Sequence, residues 1–332
     1  EQPEKFAAGR ILVSPRAGLP TAEFNKIIKT HGAHAARQIG NLNLYVVDMP
    51  PGREKALQQA MERNPHVKFA ELDGEVTMQM TPSDTYYSSA WHLPKIGAPA
   101  AWDVATGAGI TIAILDGGVE SSHPDLAARM VPGWNFYDNN SNTADINGHG
   151  TKVAGVAAAI GNNSIGATGG AWNAKIMPLR ISDSAGNISY YSTVASALTW
   201  AADHGARVAN ISYIVSHVAA IQSAAQYMRS KGGVVVASAG NTGAAMSFAN
   251  TSSIITVGGT DSSDNRASWS SYGPIVDVAA PGVSIRTTAK GATYGSYSGT
   301  SFSSPLTASV VALMLSANPS LQPSQVDSIL TS

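Results

Sequence analysis

Five short runs of mostly β-branched apolar residues, at 110–115, 175–181, 207–211, 234–238 and 254–257, alternate with helix-compatible stretches at 151–160, 192–204, 218–231 and 301–317. Runs that stay apolar at nearly every position suit strands covered on both faces, which points to a mainly parallel sheet flanked by helices. The pattern predicts an α/β domain whose functional side chains gather at the carboxyl ends of the strands. Asp116 directly follows the first run, and Asn241 follows the fourth after a short Ala-Gly link.

The first 80 residues read differently. They hold 10 Lys/Arg and 9 Asp/Glu, leaving 11 and 13 for the other 252 residues, so a small surface-dominated module precedes a large apolar one. Strand signals at 9–16, 34–39, 42–49 and 67–78 and helical patterns at 22–30 and 53–63 give the order β-α-β-β-α-β, a ferredoxin-like α+β arrangement. Element order alone allows a binding module as readily as an inhibitor. With 44% hydrophobic residues the chain has ample material for packed cores. A net charge of −1 supplies no field to attract nucleic acid or an acidic membrane, and no uninterrupted apolar run approaches the roughly 18 residues of a spanning helix. Neither is an expected partner. The chain has no cysteine, so stability must come from packing or bound ions.

Three motifs carry chemistry. Ser301 lies in Ser298-Gly299-Thr300-Ser301-Phe302-Ser303-Ser304-Pro305, where glycine-permitted backbone turns into a helix start. A serine hydroxyl is a poor nucleophile unless a histidine base, itself held by a carboxylate, takes its proton. His149 stands in Asn147-Gly148-His149-Gly150-Thr151 at the mouth of a small-residue helix, and Asp116 ends Ile112-Ala113-Ile114-Leu115-Asp116. Asn241, in Ala239-Gly240-Asn241, either directs its side-chain amide at a substrate carbonyl oxygen or serves as a turn residue tolerant of left-handed backbone.

In this wording and in the chain order Asp, His, Ser, the sequence closely resembles the subtilisin-like serine proteases, nearest to the thermitase branch. The resemblance spans nearly the whole chain. It implies a subtilisin-like catalytic domain at 80–332, which family members usually continue further, preceded at 1–79 by an inhibitor-type propeptide that assists folding. The propeptide would leave Gly74-Glu75-Val76-Thr77-Met78-Gln79-Met80 in the active-site cleft as an added strand, with processing near Gln79 or Met80. It further implies polypeptide substrates, secretion, a catalytic triad of Asp116, His149 and Ser301, and an oxyanion hole made by Asn241 with the Ser301 N–H. Ser212, Tyr213 and Ile214 would line the substrate groove, and Ser238, Ala239 and Gly240 the pocket for the residue before the cut. A calcium ion would be held by Asp84, Asp125 and Asn163 with the loop residues Gly161, Ile165 and Ala167.

Four positions near these groups depart from the family pattern. Gly117 replaces a hydroxyl residue able to bond the aspartate, Lys152 replaces a histidine one turn beyond His149, Ile214 brings bulk where glycine is usual, and Phe302 replaces methionine. None removes a catalytic atom, yet together they leave open an impaired enzyme that binds peptides without efficient hydrolysis. An esterase of the α/β-hydrolase type is disfavoured, because its serine precedes the acid and the histidine in the chain.

Overall fold

The computed structural model describes residues 5–76, 80–183, 185 and 188–332, which fall into two compact units, Glu1–Met78 and Gln79–Ser332. In the first unit β1 (Phe6–Pro15), α1 (Thr21–Thr30), β2 (Ala35–Gln38), β3 (Tyr45–Asp48), α2 (Glu54–Glu62) and β4 (Val67–Gly74) follow the β-α-β-β-α-β order. The antiparallel sheet runs β2-β3-β1-β4. Phe24 and Ile28 of α1 and Leu57 and Met61 of α2, each pair four residues apart on one helix face, are buried with Ile11 and Val13 of β1 and Val47 of β3. The Glu54 carboxylate accepts the N–H groups of Gly9 at 2.6 Å and Gly52 at 3.1 Å, which ties the start of α2 to β1. The last strand ends at Gly74, before its expected limit at Met78; Thr77, Met78 and Gln79 lie outside the described residues.

The second unit opens with two short helices, α3 (His92–Lys95) and α4 (Ala98–Trp102). The alternating body follows: β5 (Thr111–Asp116), β6 (Trp134–Asn135), α5 (His149–Ala158), β7 (Lys175–Arg180), α6 (Tyr191–Asp203), β8 (Val208–Ile211), α7 (Ala219–Ser230) and β9 (Val234–Ser238). It closes with β10 (Ile255–Thr260), β11 (Val278–Pro281), a hairpin of β12 (Ile285–Ala289) and β13 (Thr293–Tyr297), then α8 (Thr300–Ala317) and α9 (Pro323–Leu330). The seven-stranded sheet runs β11-β10-β9-β8-β5-β7-β6, and every neighbouring pair is parallel.

β5 shows why the apolar runs are continuous. Ile112 and Ile114 point into a core shared with Val153 and Val156 of α5 and Leu306 and Val311 of α8. Ala113 and Leu115 point the other way, into a core with Leu198 of α6 and Ile221 and Met228 of α7. All four β5 residues are fully buried, and burying such an Ile or Leu stabilises the fold by about 1.5–3 kcal/mol over leaving it exposed. α8 is by length and composition apolar enough to cross a bilayer, but most of it is buried as a core helix of this unit. β5 neighbours β7 on one side and β8 on the other, so the chain changes direction across the sheet there. Such a reversal leaves a crevice over the strand carboxyl ends, and Asp116 stands at that end of β5.

Candidate active site

Two glycines let α5 approach the end of β5. Gly148 caps the helix with φ +82°, a left-handed conformation that favours glycine, and a Cβ on Gly150 would fall 2.0 Å from the Gly118 carbonyl oxygen and 3.0 Å from the Asp116 Cβ. Only a residue without a side chain fits that approach. His149, between them, therefore reaches Asp116: its Nδ1 lies 2.9 Å from Oδ1 and 3.0 Å from Oδ2. Asp116 is 1% exposed, whereas the imidazole is 33% exposed. The missing hydroxyl at Gly117 is partly compensated, because the Gly117 backbone N–H donates to Asp116 Oδ1 at 2.7 Å. The Asp116 carboxylate raises the His149 pKa, with burial opposing it.

A residue not singled out from sequence supports this turn. Asp145 is buried, accepts the N–H of Gly148 at 2.8 Å and that of Thr151 at 2.7 Å, and also takes the Thr151 hydroxyl. It fixes the first turn of α5 and so the direction of His149. The signal was an acidic residue three positions ahead of a glycine-opened helix, the usual place for a carboxylate that satisfies free N–H groups.

Ser301 lies in the first turn of α8, and its carbonyl oxygen accepts the Ser212 hydroxyl at 3.2 Å, which joins it to the exit of β8. No hydrogen bond within 3.5 Å joins His149 to the Ser301 hydroxyl among the described residues, although the His149 and Phe302 rings lie 6.1 Å apart. Such contacts are often long without substrate and tighten when it binds. Asn241 is tied to the same turn: its Oδ1 accepts the Thr300 N–H at 2.9 Å and the Thr300 hydroxyl at 3.0 Å. An amide N–H only donates, so the atom it meets must be the oxygen, and Nδ2 is the end left to donate. Ser212, Ser238 and Ala239 are buried, while Ile214 is 40% exposed.

Lys152 does not simply point to solvent. Its ammonium lies 4.4 Å from the centre of the Tyr297 ring, Tyr297 stacks on Phe302 at 5.9 Å, and Phe302 faces His149. The positive charge opposes protonation of His149, as does burial, while Asp116 and Asp145 favour it. Replacing Lys152 with Met removes that opposition, so His149 should hold its proton to higher pH. If His149 is the general base it must be neutral to act, so the acid limb of the kcat/KM profile is expected to move to higher pH in Lys152→Met and to stay in place in Lys152→Arg. A limb that shifts equally in both variants points to packing rather than charge.

The predicted cation ligands lie close together. Asp84 Oδ2 accepts the Asn162 N–H at 2.6 Å, while its Oδ1 is buried without a partner. Asp125, fully buried, accepts the Asn163 side-chain amide at 2.9 Å and the Ala167 N–H at 2.8 Å, and the Asn163 Oδ1 accepts the Ile165 N–H at 3.0 Å. The carbonyls of Gly161, Ile165 and Ala167 accept no hydrogen bond among the described residues. No group of three or more His, Cys, Asp or Glu suited to a metal is found among the described residues, so a cation here depends on amide and carbonyl oxygens.

The family model of the subtilase family matches residues 107–332. This chain belongs to the subtilase family. Thermitase of Thermoactinomyces vulgaris is 48% identical over 241 residues, covering 71% of this chain and 86% of its own length. The thermophilic serine proteinase of Bacillus sp. (strain AK1) is 38% identical over 316 residues, covering 94% of this chain and 79% of its own, so the likeness runs into the first compact unit. Among solved structures, proteases from Pseudoalteromonas arctica superpose with a TM-score of 0.69 at 29% identity, covering 76% of this chain and 92% of that one. The parallel α/β unit has the subtilisin-like fold, and the protein is a serine endopeptidase acting on polypeptides.

Proposed function

We propose that Asp116, His149 and Ser301 form the catalytic triad of this subtilase, with Asn241 and the Ser301 N–H as its oxyanion hole. The observation that carries this reading is the short His149–Asp116 contact made at the strand end where α8 also begins. Ser301 Oγ attacks the peptide carbonyl as its proton passes to the Nε2 of His149, and Asp116 steadies the imidazolium. The carbonyl oxygen, now negative, is held by Asn241 Nδ2 and the Ser301 N–H. His149 gives its proton to the departing amine and leaves an acyl ester on Ser301, which water opens by the same steps in reverse.

In this proposal residues 1–79 are a propeptide, 80–332 the secreted catalytic domain, and the enzyme cuts its own chain near Gln79 or Met80. Support comes from the ferredoxin-like unit lying directly before the protease and from a serine proteinase relative that aligns across both units. Secretion rests on family membership. Intact mass after incubation tests the reading together with a fluorophosphonate probe. Two fragments separated near Met80, with the probe on Ser301, are expected; a chain that stays whole and unlabelled while still binding peptides is an impaired protease.

Calcium held by Asp84, Asp125, Asn163 and the carbonyls of Gly161, Ile165 and Ala167 fits the unpartnered Asp84 oxygen and the free carbonyls. It would supply stability rather than chemistry, joining Asp84 to the 161–167 loop and stabilising the folded state by mass action. With Ser301→Ala used to prevent self-digestion, EGTA is expected to lower the melting temperature, and restored calcium to recover it. In Asp84→Asn the drop should be smaller. An EGTA-insensitive melt removes the ion from the proposal.

A further inference from the structure

β8 and β9 are parallel neighbours, with Ile211 opposite Ala237, so residues 212–214 and 238–240 leave the sheet side by side. Both exits are fastened to the first turn of α8. Ser212 donates to the Ser301 carbonyl at 3.2 Å, and the Gly240 N–H donates to the Thr300 hydroxyl at 3.1 Å. The two exits thus flank the turn carrying Ser301.

The tetrahedral centre on Ser301 Oγ has three other substituents. Its oxygen turns toward Asn241 and its leaving nitrogen toward His149, so the third, the α-carbon of the residue before the cut, is directed into the crevice between the exits. With those roles assigned, its side chain enters between the two exits, where Ile214 faces Gly240. That space is narrow: a Cβ built on Gly240 would fall 2.5 Å from Ile214 Cδ1, 2.8 Å from Ile214 Cγ1 and 3.2 Å from the Ser271 hydroxyl. Gly240 has φ +103°, so this wall is confined to glycine, and the width of the slot is set from the opposite side. Ser238 and Ala239 are nearly fully buried.

We propose that Ile214 sets the substrate class: its side chain lies across the slot against Gly240, so the enzyme accepts Gly, Ala or Ser before the cut and refuses Phe, Tyr and Leu. The inference rests on Ser301 and Asn241 acting as assigned above. A side chain refused by a rigid apolar wall loses kcat/KM steeply, because either the wall or the reacting carbonyl must be displaced. Ile214 offers the one wall that substitution can remove, since it carries a side chain where Gly240 has none.

The test uses two peptide p-nitroanilides that differ only in Ala or Phe at the cut, with every rate divided by the concentration of sites titrated by a fluorophosphonate. The wild-type enzyme is expected to favour the Ala substrate by at least about tenfold, and Ile214→Gly to raise the Phe-to-Ala ratio by about tenfold or more. Ile214→Ala should give an intermediate ratio and covers the case in which the glycine variant folds poorly. A wild-type enzyme that is fully titrated yet cleaves the Phe substrate as well as the Ala one overturns the proposal, as does a ratio unmoved by both variants. Failure of the probe to label the wild-type protein overturns the assignment of Ser301 instead, and is read separately.

Discussion

Ser301→Ala is expected to lower kcat by about 10⁶-fold and to leave the 332-residue chain uncut after prolonged incubation. The size of the loss follows from the proposed triad acting as a unit. His149, held by Asp116 at 2.9 Å and tilted toward the protonated form by that carboxylate, has nothing to activate once the hydroxyl is gone. Adding His149→Ala to Ser301→Ala should therefore cost little more, and the residual rate over water would come from Asn241 and substrate binding. Asp116→Asn should be less severe, about 10⁴-fold, because the nucleophile and base remain while the imidazole loses the carboxylate that fixes its tautomer and steadies its charge. Steady-state rates normalised to folded protein, with intact mass as the second readout, check all three. A Ser301→Ala protein that still processes itself, or still takes up a fluorophosphonate, would show that another residue is the nucleophile.

The residues behind these effects were legible in the sequence. β5, β7, β8 and β9 were readable because burial on both faces forces apolar residues at every position, and Asp116 was readable because the run stops on a charge. The first turn of α8 was readable because a glycine-permitted turn, Ser298-Gly299-Thr300-Ser301, stands just ahead of the apolar run from Leu306 to Leu315. The hairpin of β12 and β13 was not. Its strands are rich in Thr, Tyr and Ser because the pair packs on α5 through the Thr287 and Thr288 hydroxyls, which donate to the Lys152 and Thr151 carbonyls at 2.9 and 2.7 Å. No hydrophobic period marks such a contact. β11 was missed because its short Val-Ala-Ala-Pro run lacks the length of a strand signal, and it forms only by pairing with β10.

Asp145 escaped for another reason, and so did the seat of Lys152. The position of a carboxylate near a helix start can be guessed, but that it is buried and bonded to both Gly148 and Thr151 is a property of the folded turn. Lys152 was readable as a charge one turn from His149, whereas its seat over Tyr297 depends on a hairpin the sequence did not reveal. Likewise the Ile214 side chain reads as bulk in a groove, but its contact with Gly240 needs two strand exits that are 26 residues apart in the chain.

Removing Asn241 is expected to lower kcat by roughly 10²–10³-fold with KM little changed, the usual cost of losing one donor to a developing oxyanion. The side chain has two separable jobs. Its oxygen accepts the Thr300 N–H and hydroxyl and so helps hold the turn that carries Ser301; its nitrogen is the end left to donate. Asn241→Leu deletes both, so it should lose activity and also melt earlier. Asn241→Asp keeps an oxygen for Thr300 while replacing the donor with a second acceptor beside the place where negative charge forms. If stabilisation of that charge is the catalytic role, Asn241→Asp must fall at least as far in kcat as Asn241→Leu while keeping more of its melting temperature. If anchoring of α8 is the whole role, Asn241→Asp should work nearly as well as the wild-type enzyme, and the oxyanion would then rest on backbone N–H groups alone.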